Sequence, residues 1–129
     1  MFNWEEFIKL SQELISNFNT QHNEALYRTV ISRAYYGIFK QVEDSLKKRV
    51  PQIDIKGRKL GSHDKYIEFL RNHTLKEVAK FGSLLANLKL YRLKADYDAY
   101  SSIDRRSAKR ILQESLKLNA QWNRIKSKV

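Results

Sequence analysis

Val30-Ile31-Ser32-Arg33-Ala34-Tyr35-Tyr36-Gly37-Ile38-Phe39 is the stretch on which the fold turns. Its apolar residues follow neither the alternation of a strand nor the single stripe of a surface helix. With Leu26, Val42 and Leu46 they cover nearly every side of a helix running from about Asn23 to Arg49. A helix apolar all round belongs in the middle of a bundle. Pro51 sets its end, because a residue that precedes proline is pushed out of the helical region. Four glycines and one proline in 129 residues leave long helices few interruptions.

Outward from this segment, the periodicity predicts four more helices. The first starts at Asn3, with Glu6 completing a capping box, and buries Phe7, Leu10, Leu14 and Phe18, flanked by Ile8 and Ile15. Asn19-Thr20-Gln21 reads as its break. Ser62 caps a short third helix, Asp64 to about Asn72, with Tyr66, Ile67, Phe69 and Leu70 inward. Thr74 and Glu77 form another capping box, opening a fourth helix that reaches about Tyr97. Ser101 or Ser102 caps a fifth, whose buried side is Ile103, Ile111, Leu112, Leu116, Leu118 and Trp122. Strand patterns, repeats and low-complexity tracts are lacking. The expected class is all-α, an antiparallel up-and-down bundle of four to five helices forming one domain over residues 1–129.

Without cysteine, the chain has no disulfide framework, thiolate zinc site or cysteine nucleophile. The acidic start Met1-Phe2-Asn3-Trp4-Glu5-Glu6 does not read as a signal peptide, and no apolar run approaches the roughly 20 residues of a membrane span. A cytoplasmic protein without a membrane partner is expected. Twenty-five Lys and Arg against fourteen Asp and Glu give a net charge of +11, which favours polyanionic partners. The excess is uneven. The first 27 residues hold four acids and one base, Lys47 to Lys59 holds six bases and one acid, and the chain from Ser101 holds eight bases and two acids.

Three constellations can carry chemistry. Arg33 interrupts the central apolar helix, and burying an unpaired guanidinium is prohibitive, so it must reach solvent or an acid. Thr29, Arg33, Tyr36, Gly37 and Lys40 share one face there and can line a groove, with Gly37 marking close approach of a backbone or ligand. In Tyr91-Arg92-Leu93-Lys94-Ala95-Asp96-Tyr97, Asp96 either pairs with Arg92 one turn away or accepts Arg33 across the bundle. His63 begins the third helix, where the helix dipole disfavours its protonated form; it is a capping-turn side chain or a neutral proton-transfer group. His22 and His73 lack metal-ligand spacing, and no phosphate loop, HExxH or GxSxG occurs.

Ser32-Arg33-Ala34-Tyr35-Tyr36-Gly37-Ile38-Phe39, then Ser62-His63, then Arg92-Leu93-Lys94-Ala95-Asp96-Tyr97 together resemble the prokaryotic HEPN domain family, in the branch with SRxYYxxF and RxxADY signatures. The resemblance spans about Asn3 to Trp122. It implies a helical bundle that dimerises, often in toxin–antitoxin or defence modules that cut RNA without a metal or cofactor, and often paired with a nucleotidyltransferase antitoxin. It implies an arginine for the phosphate and a histidine for proton transfer, four to six residues apart. Here Tyr97 stands at that spacing after Arg92. Arg58 and His63 hold the literal spacing before helix three, and Arg92 with His63 is the pairing available across the bundle. On this resemblance Arg33 and Arg92 hold phosphate, Tyr36 and Tyr97 stack or hydrogen-bond, Asp96 orients an arginine and His63 moves the proton. Lys47 to Lys59 and Arg105 to Arg110 would add salt-dependent affinity for an RNA or nucleotide backbone. The alternative is a non-catalytic interaction module whose basic surface receives a nucleotidyltransferase or another acidic partner.

Overall fold

The computed structural model describes residues 1–17, 23–49 and 62–129, and among them it is an all-α bundle of five helices without strands. They are α1 (Glu5–Asn17), α2 (Glu24–Arg49), α3 (Ser62–Arg71), α4 (Lys76–Tyr97) and α5 (Arg105–Ile125), followed by one 3₁₀ turn, Lys126–Lys128. No helix is long and apolar enough to cross a membrane among the described residues.

As its composition requires, α2 is the central helix. Val30, Ala34, Tyr35, Ile38, Phe39, Val42 and Leu46 are all fully buried, and α1, α3, α4 and α5 each pack on it. The Asn23 side chain accepts the Leu26 amide at 3.0 Å and so caps its start. Across the bundle α5 turns a stripe inward: Ala108, Ile111, Leu112, Ser115, Leu118, Trp122 and Ile125 recur at helical spacing. Trp122 stacks on Phe81 of α4 with ring centroids 5.3 Å apart.

Two glycines set how closely the helices approach. A Cβ on Gly37 would lie 2.5 Å from Cγ1 and 3.2 Å from the backbone nitrogen of Ile8, so α1 crosses α2 at this residue. A Cβ on Gly82 would lie 2.8 Å from the Arg71 nitrogen, which lets the end of α3 sit directly on α4. Gly37 therefore marks backbone contact rather than a groove, and the Thr29-to-Lys40 stripe is covered by α1 at its centre.

Several local expectations need correction. The inward face of α1 is Ile8, Ser11 and Ile15; Leu10 is exposed and Phe7 and Leu14 only half-buried. Ser11 occupies the helix crossing because its hydroxyl donates to the Val30 carbonyl at 2.9 Å, which satisfies a small polar group inside. Asn3 does cap α1, its side chain accepting the Glu5 amide at 3.1 Å. Helix α4 starts after Leu75 with no side-chain cap, so the Thr74–Glu77 box does not form; His73 Nδ1 accepts the Leu75 amide at 3.1 Å instead. Helix α5 is capped by Asp104, which accepts the Ser107 amide at 2.8 Å, and not by Ser101 or Ser102. Leu116 lies at the exposed edge of α5. Phe18, the Asn19-Thr20-Gln21 break, His22, Pro51, Arg58 and most of the Lys47-to-Lys59 basic stretch lie outside the described residues, as does the Ser62 side chain.

Candidate functional site

Arg28 of α2 holds the last turn and a half of α4 through its backbone. Arg28 donates to the carbonyls of Lys94 (3.0 Å), Ala95 (3.1 Å), Asp98 (2.9 Å) and Ser101 (2.7 Å). Lys94 O also accepts the Asp98 amide that closes α4, at 3.1 Å, and Arg28 adds a donor for this last turn and the chain just beyond it. Glu24 completes the lock, holding Arg28 at 3.2 Å and accepting the Ile103 amide at 2.9 Å. The Ile103 amide, then Arg28, keep the Glu24 carboxyl below the usual carboxylate range. Every strong donor in this junction has a strong acceptor.

One turn back along α4 the accounting differs. Arg92 points into α2 and is only 5% exposed, making it the buried arginine of the bundle's described part. Its guanidinium carbon lies 5.4 Å from the Tyr35 ring centre, 5.0 Å from Tyr36 and 5.9 Å from Tyr97. Asp96 approaches it at 3.7 Å, too long for a good hydrogen bond. Arg92 Nε is buried with no hydrogen-bond partner among the described residues. Such a group costs about 1–3 kcal/mol when left unsatisfied, more when charged.

Arg33 enters the same centre from α2. It lies 4.9 Å from the Tyr36 ring centre and 5.1 Å from that of Phe7, so Tyr36 is within about 5 Å of both guanidinium groups. Arg33 makes no direct ion pair with Asp96 among the described residues. It donates to the Ser32 hydroxyl at 3.2 Å, and Ser32 donates to Asp96 at 3.3 Å. Of the two pairings open in the sequence, the geometry holds the one along α4, with Ser32 relaying Asp96 to Arg33.

His63, in the first turn of α3, completes the cluster. Its ring stacks on Phe39 at 3.9 Å and meets the edge of Tyr36 at 5.8 Å, while Nδ1 shares a 2.7 Å hydrogen bond with the Tyr35 hydroxyl. Burial first, and then the positive charges of Arg92 and Lys89, lower its pKa to about 4, so it is neutral near pH 7. Burial also pushes the Tyr35 hydroxyl up, against the pull of Arg92, so that phenol keeps its proton. If Tyr35 donates to Nδ1, Nε2 carries the ring proton; if Nδ1 donates, Nε2 is a free acceptor.

The neighbouring charges are largely matched. Lys89 pairs with Asp64, and Lys40 with Glu43 at 2.9 Å. What stands in the centre is two guanidinium groups against one carboxylate, beside a neutral imidazole and three tyrosines. Arg33, Tyr36, His63, Arg92, Asp96 and Tyr97 are thus all brought to one place, with Tyr97 at its solvent edge, 74% exposed. Ser32 and Tyr35, positions of the SRxYYxxF signature without an expected site role, join them. Arg28 gave no signal beyond its spacing from Glu24. Among the described residues, no group of three His, Asp or Glu side chains is placed to hold a metal ion. No family model, curated protein or solved structure matches the chain.

Proposed function

We propose that this centre binds a phosphodiester of RNA and, with His63 as the proton-transfer group, cleaves it without a metal, in a HEPN-like toxin–antitoxin or defence protein. The observation that supports it most is Arg92: a buried guanidinium with an unpartnered Nε, beside a second arginine and only one carboxylate. A phosphate brings the negative charge and acceptor oxygens that this arrangement lacks. In cleavage, with Nδ1–H donating to the Tyr35 oxygen, Nε2 would take the proton of the ribose 2′-hydroxyl as that oxygen attacks phosphorus. The P–O5′ bond would break, leaving a 2′,3′-cyclic phosphate and a 5′-hydroxyl whose proton comes from the imidazolium or water. The two arginines would hold the charge that develops on the phosphoryl oxygens. A bound phosphate anion would also offset the positive field on His63 and raise its pKa toward the working range.

The packing of His63 favours a second reading. A ring stacked on Phe39 and tied to Tyr35, with a pKa of about 4, is a weak base at neutral pH. On that reading the centre binds phosphate without cutting, and the basic surface receives an acidic partner such as a nucleotidyltransferase.

Incubation of RNA with the protein in EDTA separates the two. The first reading expects cleavage that both His63→Ala and Arg92→Ala abolish. RNA that binds with Arg92-dependent affinity yet stays intact supports the second, and RNA that neither binds nor is cut overturns both.

A further inference from the structure

Between α4 and α5 lies a partly open cavity of about 200 Å³. Its floor is Leu84, Leu88, Ile111 and Leu118, and Tyr91 and Arg110 stand at its mouth. The Arg110 guanidinium lies 5.3 Å from the Tyr91 ring centre and donates to the Tyr91 hydroxyl at 3.4 Å. A cavity of about 150 Å³ accepts a benzene ring, whereas drug-sized ligands need about 300 Å³ or more, so this one suits a single small planar ring system. Asn87 and Glu114 add polar atoms to the lining, as a heterocycle with polar edges requires and a purely apolar guest does not.

Arg110 also belongs to a second depression. Together with Arg105, Arg106, Lys109 and Gln113 it lines a cleft at the start of α5, so Arg110 borders both depressions. Arg105 is tied to the Ile15 carbonyl at 2.7 Å, but no carboxylate among the described residues lies within 4.0 Å of a side-chain nitrogen of Arg106, Lys109 or Arg110. The N-cap carboxylate of Asp104 faces Arg106 at this end of α5, while Lys109 and Arg110 project from the next turn. An apolar slot for one ring is thus bordered by Arg110, with the exposed Arg106 and Lys109 beside it on the same helix.

We propose that the α4/α5 groove is a nucleotide site, taking one nucleobase into the cavity beside Tyr91 and its phosphate onto Arg110, Arg106 and Lys109. The same chemistry is offered by a free nucleotide and by an unpaired nucleotide of an RNA strand. A protein partner fits less well, because the basic cleft has no apolar side chain to anchor one and the cavity is too short for a helix face. The site shares no residue with the Arg92 centre and stands or falls independently of it.

The test is titration of the isotopically labelled protein, read by amide and side-chain NMR shifts. The probes are the four ribonucleoside 5′-monophosphates, ribose 5-phosphate, a tetraribonucleotide and an acidic amphipathic peptide. At least one mononucleotide or the tetranucleotide should shift Leu88, Tyr91 and Ile111. Ribose 5-phosphate should bind at least tenfold more weakly than the best nucleotide. Arg110→Gln, at an exposed position that leaves the core alone, should weaken binding about tenfold, and Leu84→Trp should fill the slot and abolish it. Arg92→Met should leave these shifts unchanged. A mononucleotide as tight as the tetranucleotide identifies the free nucleotide as the ligand, and a much tighter tetranucleotide identifies RNA; either supports the site. Shifts confined to Arg33, His63 and Arg92, equal binding of ribose 5-phosphate, no response to any nucleotide or oligonucleotide, or a response to the peptide alone would each overturn it.

Discussion

Arg28 and Arg92 both bridge α2 and α4, and they differ in what meets them. Arg28 is answered by four carbonyls and Glu24. Arg92 is more deeply buried yet meets three aromatic rings and one distant carboxylate, and its Nε has no hydrogen-bond partner among the described residues. A guanidinium whose donors are filled within the chain holds the fold together. One left short inside the fold is a cost that selection tolerates where a ligand supplies the missing acceptor. On the proposed reading, the contrast separates a structural arginine from a functional one within a few turns of the same helix pair.

The largest effect is expected at the satisfied junction. Arg28→Ala strands the carbonyls at the end of α4 and leaves Glu24 without its cation. It should destabilise the protein by about 3 kcal/mol in urea unfolding. Because Asp96 and Tyr97 ride on that last turn, RNA affinity should fall with it. A smaller effect, about 2 kcal/mol, is expected for Gly82→Ala. The new Cβ would meet the Arg71 backbone nitrogen at 2.8 Å and Leu70 Cβ at 2.9 Å, which outweighs the better helix propensity of alanine. By pushing α3 outward it should also move His63, read as a change in the Tyr35–His63 proton resonances.

The third effect concerns protons. His63 binds its proton less readily when folded, at about 4, than when unfolded, at about 6.5. Between these values the unfolded chain holds more protons, so stability contributed by His63 is present above pH 6.5 and is lost as pH falls toward 4. The thermal midpoint should therefore drop over this window, and His63→Gln should flatten that drop. An unchanged profile in the variant would mean that His63 titrates normally and lies outside the field of Arg92.

The comparison also shows how far the residues alone could be read. Helix number and order, and the central place of α2, follow from apolar periodicity, which every packed helix must obey. The gathering of Arg33, Tyr36, His63, Arg92, Asp96 and Tyr97 was legible through their motifs. Which arginine would be buried was not. Arg33 sits in the more apolar helix, yet its long side chain leaves between Phe7 and Tyr36, whereas Arg92 faces the buried ring of Tyr35. That outcome depends on the rotation of α4 against α2, to which the contacts of Arg28 with the end of α4 contribute across a long sequence separation. Caps failed for a related reason: Thr74 and Ser101 had the right residue type, but Asp104 and His73 had the right position. Ser11 shows the same limit, since its burial depends on the Val30 carbonyl of another helix.

The central claim is that Arg92 is kept for an anion and not for the fold. Its most direct test is Arg92→Met, with urea unfolding and affinity for a short single-stranded RNA measured on the same preparation. Methionine fills the aromatic pocket without a charge, while Asp96, 24% exposed in its side chain, can turn to water. The account predicts stability unchanged or raised and RNA affinity lowered at least tenfold. A loss of about 3 kcal/mol in stability with RNA affinity intact would make Arg92 a structural residue like Arg28, and would contradict it.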